Sequence, residues 1–269
     1  MWSERRSFFV FLLFLTVPAQ AQQGPQAAGV LQSGHDPQAV SVLNQALSVA
    51  GGAQVLGAIS DFTGTGKITY YWGGQEIQGN VTVKGRGTGQ FRLVASLPDG
   101  VQTLVVNNGE GFLTPSNGDV QPLQWHNAIN FGSLTFPITH IAASLVDSST
   151  AVSYVGLEAV ASGQAHHIRL QRVPRTQNSL DLMLARLTAR DYFIDATTFR
   201  VQSISDVVHP KDKSNVDIPH RLQFSDYRPV NAVLVPFVVD EFINGQHAWS
   251  IQLSEITFNT GLSDLDFQQ

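Results

Sequence analysis

The sequence predicts a mainly β protein of the α+β class, with helix confined to its N-terminal part and its middle. Three observations lead to this prediction. Side-chain character alternates with a period of two over most of the chain, and turn signals rich in Gly and Asn separate the alternating runs. No β-α-β alternation is visible, so a parallel sheet is not expected. Counting the runs predicts about ten or eleven antiparallel strands.

The first 21 residues predict a secretory signal peptide. Arg5 and Arg6 precede an apolar run over residues 8–17, and Ala19-Gln20-Ala21 supplies the small residues of a cleavage site. A run of about ten apolar residues is too short to cross a bilayer, which needs roughly 20. We therefore expect cleavage near Ala21 and a product that is periplasmic or secreted.

The expected mature chain opens with a flexible stretch, residues 22–35, rich in Gln, Gly and Ala. A helix should follow, with Asp36 as N-cap and Pro37 at its first position, and should end at Gly51-Gly52. A second short helix is expected near residues 54–59. Residues 36–269 are predicted to form a single domain.

Strands should begin at residue 62. Residues 62–72 alternate strictly, Gly73-Gly74 predicts a hairpin turn, and further alternating runs to residue 114 predict a meander of about five strands. Residues 123–149 differ in character and are broken by Pro137, so we expect a helical lid packed on the sheet.

The second half of the chain returns to strand patterns. Residues 174–187 are ambiguous between a loop and a helical turn. In the last third Asn244-Gly245 predicts a hairpin. The run over residues 233–243 is apolar on both faces and is expected to be covered on both sides.

Composition excludes several classes of function. The net charge is −5, and removal of residues 1–21 leaves 14 basic and 20 acidic residues, or −6, without a basic cluster. Nucleic acid is therefore not an expected partner. The chain has no cysteine, which excludes disulfides, thiolate metal sites and a thiol that could carry a lipid. A soluble product without a stable membrane anchor is expected.

The sequence gives only weak signals of catalytic or metal-binding groups. His166-His167 would point to opposite faces of a strand and could not chelate one ion. No Gly-x-Ser-x-Gly elbow marks a nucleophile. The carboxylate pairs Asp191 with Asp195 and Asp264 with Asp266 are expected to cap backbone groups or to stay solvated. We therefore predict no enzyme, no metal site and no cofactor.

Apolar side chains that could share one face suggest a binding surface. A strongly curved, incompletely closed sheet would leave an apolar cavity able to hold an acyl chain. The alternative is that these side chains form an ordinary core. The cavity candidates are Trp72, Val81, Phe91, Leu93, Trp125, Phe131 and Phe136.

The order of elements and several short motifs resemble the periplasmic lipoprotein-carrier superfamily, which has the LolA/LolB-like fold. The resemblance covers residues 38–260. Its most specific part runs from Gly79 to Arg86 and continues through Phe91-Arg92, Pro98-Asp99-Gly100 and Asn107-Asn108-Gly109-Glu110. Later motifs that are similar are Asp195-Ala196-Thr197-Thr198, Phe224 to Val230, and Val235-Pro236.

The resemblance implies a half-barrel of eleven antiparallel strands whose concave face is covered by helices that enclose an apolar cavity. Members of the superfamily shuttle lipid-modified proteins or bind other lipids. An arginine after their second strand helps to retain cargo, and Arg86 aligns with it. Arg86 departs from the pattern because it lies between two glycines and does not precede a proline.

The leading hypothesis is a soluble exported carrier or sensor that binds an acyl chain, as a free lipid or on an acylated protein, without covalent chemistry. The alternative is an envelope protein-interaction module with a filled core, which docks a partner on an exposed sheet edge. A third hypothesis, an envelope hydrolase, requires histidines to converge in a cleft. They would come from His126, His140, His166, His220 and His247.

Overall fold

The computed structural model describes residues 34–128, 136–161, 163–211 and 213–269. All strands of this part form one antiparallel sheet of 13 strands, which confirms the predicted fold class. Neighbouring strands are also neighbours in sequence, with one exception. The first strand pairs with the last, for example through Phe62 and Phe258, and so joins an N-terminal and a C-terminal meander.

The N-terminal meander contains the first six strands of the chain. They are β1 (Asp61–Trp72), β2 (Gln75–Arg86), β3 (Gln90–Leu97), β4 (Gly100–Asn107), β5 (Glu110–Thr114) and β6 (Gln121–Pro122). The C-terminal meander contains the other seven. They are β7 (Thr150–Val160), β8 (Gly163–Arg172), β9 (Arg190–Asp195), β10 (Val201–Val208), β11 (Ile218–Val230), β12 (Val233–Ile243) and β13 (Gln246–Phe258).

The described residues form thirteen strands, where the sequence predicts about ten or eleven. The shortest, β6, is two residues long and includes Pro122, so it carries no periodic signal. The predicted turns at Gly73-Gly74 and Asn244-Gly245 are present, and all four residues have positive φ, as a type I′ hairpin requires.

The helices agree with the sequence pattern. They are α1 (Pro37–Val49), α2 (Ala53–Gly57), α3 (Trp125–Ala128), α4 (Ile138–Ser144) and α5 (Ser179–Leu187). The Asp36 carboxylate caps α1 by accepting from the backbone N–H groups of Gln38 and Ala39, at 2.8 and 3.0 Å. The ambiguous stretch before β9 contains a helix, α5.

The sheet is open and strongly curved, a half-barrel whose edge strands are β6 and β7. Residues 123–149 connect these two edges, and we call them the lid segment; α3 and α4 belong to it. α1 and α4 cover the concave face, and one apolar core joins them to the sheet. Fully buried members of this core are Leu43, Ile68, Ile141, Val239 and Ile251.

The predicted signal peptide, residues 1–21, lies outside the described residues and stays a prediction. Of the stretch predicted to be flexible, residues 22–35, only Gly34 and His35 are described, and both contact β7. The Asp36 N–H donates to the Val152 carbonyl of β7, the Val152 N–H donates to the Gly34 carbonyl, and the His35 ring Nε2 donates to the Thr150 carbonyl at 3.1 Å. Within the described ranges, no helix is long and apolar enough to cross a bilayer.

Candidate functional site

The candidate site is the concave face of the half-barrel together with the lid segment that covers it. Three apolar side chains of the lid segment, Phe136, Ile138 and Ile141, are buried in the core. The Phe136 ring packs edge-on against Phe62, with centroids 5.8 Å apart, and lies 5.7 Å from Phe258. The lid side chains therefore fill the hollow where β1 meets β13.

Four of the seven predicted cavity residues meet in this core. Val81, Phe91, Leu93 and Phe136 are all buried, and the first three lie on neighbouring positions of β2 and β3. Phe91 is 1% exposed, so the space around it is filled by other side chains. Contact of these residues with a ligand stays a prediction.

The other three candidates do not join this group. Trp72 ends β1 at a hairpin, Trp125 begins α3, and each is 44% exposed. Trp72 is exposed because the alternation that buries Ile68 and Tyr70 runs out at the open rim of the sheet. Phe131 lies outside the described residues.

The seam between α1, the lid segment and the sheet contains a narrow cavity. Its volume is about 20 Å³, room for roughly one water molecule. Its walls include Ala46 and Val49 of α1, Phe136 and Ile138 of the lid segment, and Tyr227 of β11. Because ligand pockets usually hold about 300–1,000 Å³, this seam is closed to an acyl chain in the present arrangement.

A second, open groove of about 380 Å³ lies between α2 and the ends of β12 and β13. Its lining mixes apolar and amide side chains: Gln54, Val55, Ala58, Ile59, Asn231, Val233, Phe258 and Asn259. Phe258 also contacts Phe136, so the groove adjoins the lid segment.

Polar contacts hold the lid segment at both ends. The Asn127 side chain donates to the His209 carbonyl and accepts from the His209 N–H, both at 2.9 Å. Burial, and after it the nearby His209, lowers the pKa of His126 on the same short helix. At the other end, His140 of α4 lies 3.1 Å from the Arg190 guanidinium on β9.

Arg190 belongs to a row of buried ionisable groups on the concave face, which we call the ionic ladder: Arg190, Asp206, His220 and Glu241. They lie on four successive strands, β9 to β12. Asp206 pairs with His220 in register, and the register of β9 with β10 places Arg190 at the next position opposite Asp206. The signs alternate along the row.

His220 is the centre of the ladder. Its Nδ1 lies 2.5 Å from Asp206 and its Nε2 lies 3.1 Å from Glu241. Burial alone would lower the pKa of His220, but the two carboxylates raise it to about 10. His220 is therefore a buried imidazolium at neutral pH.

In the sequence, His220 is only one of five histidines that the hydrolase hypothesis requires to converge, and the ladder is not predicted. A signal was available, because His220 precedes Leu222 and Phe224 at alternate, inward positions of β11, and Glu241 follows Val239 in the same way on β12. Polar residues at inward positions of strands mark a buried network.

The remaining histidines have separate partners. His166 lies 3.0 Å from the Tyr154 hydroxyl, whereas His167 contacts Glu158 and Asp191, so the pair points to opposite faces as predicted. His247 contacts Asp240. In the part of the chain that the structure describes, no three His, Cys, Asp or Glu side chains are grouped as metal ligands.

Arg86 lies on the convex face, opposite to the cavity candidates. Val81 and Val83 of β2 point into the core, and Lys84 and Arg86 alternate with them. The Arg86 guanidinium donates to Asp264 at 2.6 Å. Its predicted role in cargo retention stays a prediction, and its position does not bring it to the hollow.

No family model matches the sequence, and no curated protein matches it. Solved structures do. One is a domain assigned to outer membrane lipoprotein sorting, from Vibrio parahaemolyticus, with a TM-score of 0.54 and 12% identity. Another is a LolA superfamily protein from Nitrosomonas europaea, with a TM-score of 0.52 and 12% identity. A third, a DUF1329 family protein from Desulfovibrio piger, has a TM-score of 0.51 and 11% identity.

Each comparison covers 86% of this chain and 97% of the other. The agreement therefore spans nearly the whole of each related structure. At such low identity the comparison concerns the fold. The chain has a LolA-like fold.

Proposed function

We propose that this protein is an exported carrier or sensor that binds an acyl chain on the concave face of its half-barrel. One observation carries the proposal. The apolar hollow of the open sheet is filled by Phe136, Ile138 and Ile141, which belong to a segment with only short helices and lie between the two sheet edges. An acyl chain would take the place of these side chains when the lid segment moves outward.

The fold comparisons are consistent with this function. The protein from Vibrio parahaemolyticus is assigned to lipoprotein sorting, and the Nitrosomonas europaea protein is placed in the LolA superfamily. We extend that kind of ligand, an acyl chain on a lipid or on a protein, to the present chain. The proposed function includes no covalent step.

Replacing the buried lid side chains by a ligand is energetically favourable only if the acyl chain is long. Exposing Phe136, Ile138 and Ile141 costs about 1.5–3 kcal/mol for each side chain. Burying an acyl chain contributes about 0.8 kcal/mol for each methylene. A chain of roughly twelve carbons therefore offsets the exposure of all three side chains, whereas a short chain does not.

The seam offers a place where opening can begin. Phe199 lines it and has a φ of 55°, an uncommon conformation for an aromatic residue. The turn that holds this conformation is organised by Asp195, which accepts from the N–H groups of Thr197 and Thr198. The Phe199 ring stacks on His166, with centroids 5.8 Å apart. We propose that Phe199 is the rim residue against which the lid segment closes.

Lipid extraction and a binding titration test the proposal together. Protein purified from a native envelope should release an acyl lipid in stoichiometric amount, detected by mass spectrometry. A fluorescent fatty acid should bind the delipidated protein at one saturable site and be displaced by unlabelled long-chain, but not short-chain, fatty acid.

The variant Phe136→Ala sharpens this test. Less apolar surface is exposed when its lid segment opens, so affinity for the fatty acid should rise about tenfold, which corresponds to about 1.4 kcal/mol. Val146→Ala is the matched control, because Val146 belongs to the lid segment but is 85% exposed. If both folded wild type and Phe136→Ala bind no fatty acid, the proposal fails.

The edge strand β7 favours a second function, the docking of a protein partner. On its outer side, the described backbone hydrogen bonds involve Val152 with Gly34 and Asp36. Further along the strand, Val155 and Leu157 are about half exposed, at 49% and 50%. An extended peptide could add to this edge. Leu157→Lys should abolish such binding while leaving fatty-acid binding unchanged.

A further inference from the structure

A cluster of cations lies on the convex face of β2 and β3, away from the hollow. Lys84 and Arg86 point outward from β2, and Arg92 is the register partner of Lys84 on β3. Gln90 lies beside Arg86 and completes the group. The chain as a whole has a net charge of −5, so this patch is a local excess of positive charge.

Residues 259–268, which we call the strap, cover the patch. The strap leaves β13 and is anchored first by Asp61, a buried residue at the start of β1. The Asp61 carboxylate accepts from the Thr260 N–H at 2.6 Å and from its hydroxyl at 2.7 Å. It also accepts from the N–H groups of Gly261 and Leu262, both at 3.3 Å.

Beyond this anchor, the strap contacts every cation of the patch. Lys84 donates to Asp266 at 2.8 Å, and Arg86 donates to Asp264 at 2.6 Å. Arg92 donates to two strap carbonyls, that of Asp266 at 3.2 Å and that of Gln268 at 2.8 Å. Gln90 donates to Asp264 at 3.0 Å.

The strap also buries one aromatic ring, that of Phe267. Phe267 is 1% exposed and lies outside the main apolar core, whereas Leu265 beside it is 74% exposed. Val105 is buried on the same convex face as Arg92, its register partner on β4. The convex face therefore has an apolar slot next to its cations.

These contacts define what the surface recognises. Two carboxylates, two backbone carbonyls and one aromatic ring are features of an acidic peptide. A phosphate group would satisfy Lys84 and Arg86 but would leave the slot for Phe267 empty. The Arg86–Asp264 ion pair is exposed, with the Asp264 side chain 74% exposed, and the Lys84–Asp266 pair is partly exposed, so both are weak and sensitive to salt. An external peptide of the same chemistry could therefore compete.

We propose that the convex face of β2 and β3 is a docking site for an acidic, aromatic-containing peptide of a partner protein, and that the strap occupies this site until the partner displaces it. This site is separate from the hollow and does not depend on the proposed function.

A peptide with the sequence of residues 259–268, labelled with fluorescein, is the probe. The full chain with Asp264→Asn and Asp266→Asn should bind it at least tenfold more tightly than wild type, as measured by anisotropy, because its own strap competes poorly. Glu110→Gln, at an exposed position of β5 outside the patch, is the matched control and should behave like wild type. Adding Arg86→Gln and Arg92→Gln to the double variant should remove the binding.

Equal affinity of wild type and the double variant would overturn the proposal, as would binding that survives loss of both arginines. Binding of the double variant to phosphatidylglycerol vesicles without binding of the peptide would assign the patch to a membrane and overturn the peptide partner. Hydrogen exchange on unmodified wild type gives an independent check. The amides of residues 264–268 should exchange at least 100-fold faster than those of β1. Amides of the strap that exchange as slowly as those of β1 would show that the strap stays closed.

Discussion

At the scale of single residues, the concave face combines an apolar surface with the buried charges of the ionic ladder. His220 bridges Asp206 and Glu241, and each of the three is largely shielded from water. Isolated charges would be unfavourable there, but alternating signs on neighbouring strands compensate one another. The ladder thus orders four strands and makes the stability of the protein depend on pH.

Raising the pH should weaken the ladder. The folded-state pKa of His220, about 10, lies above its unfolded value near 6.5. Its contribution is therefore complete below pH 6.5 and is lost as the pH rises through about 10. We expect the free energy of unfolding of wild type to exceed that of His220→Gln by a few kcal/mol at pH 6, and this gap to shrink by pH 10. A constant gap would contradict the prediction.

A glycine at the β1 bulge gives a second prediction at this scale. A Cβ on Gly66 would lie 2.2 Å from the Gln252 carbonyl oxygen and 2.7 Å from the Leu253 Cα. Gly66→Ala should therefore push β1 away from β13 and destabilise the protein by about 2 kcal/mol or more. Gly57→Ala, where a Cβ meets nothing within 4 Å, should be neutral or slightly stabilising. Urea denaturation of both variants measures the difference.

At the scale of elements, short helices can cover the hollow because side chains from distant strands hold them. α3 has only four residues and could not be stable alone. Its position is set by the Asn127 side chain, which forms two hydrogen bonds with the backbone of His209, 82 residues away. α1 is different, because its own N-cap and apolar spacing define it locally.

Removal of the α3 anchor should loosen the lid segment. Asn127→Ala leaves the buried N–H and carbonyl of His209 unpaired, which should destabilise the protein by about 1–3 kcal/mol. Limited proteolysis should then cut within residues 123–149 before it cuts elsewhere. Asn117→Ala, at an exposed turn, is the control and should leave the cleavage pattern unchanged. Equal protease resistance of both variants would show that Asn127 does not hold the lid segment.

At the scale of the whole molecule, a single sheet connects the two meanders through β1 and β13. If residues 36–269 form a single domain, as predicted, their continuous sheet and shared core should unfold cooperatively. Urea transitions followed by far-UV circular dichroism and by tryptophan fluorescence should have the same midpoint. Separate midpoints would show two units and would refute the single domain.

How much of the structure can be predicted from the sequence depends on how far apart along the chain the interacting residues are. Hairpins such as that at Asn244-Gly245 and the α1 cap involve residues a few positions apart, so their patterns are visible in the sequence. The ionic ladder was missed because its members come from four strands and only tertiary register aligns them. Phe136, Trp72 and Trp125 are all aromatic residues predicted to line the cavity, but Phe136 is buried in the core whereas the two tryptophans lie at exposed ends.

The sequence by itself determined the β-rich class, the turns, the N-terminal helix and the resemblance to a carrier fold, since local periodicity and turn chemistry depend on near neighbours. Only the tertiary structure decided which face each side chain lines, that lid residues fill the hollow, and that Arg86 binds Asp264 on the convex face. These outcomes depend on contacts between residues far apart in the chain, such as the pairing of β1 with β13. Sequence periodicity contains no information about such pairings.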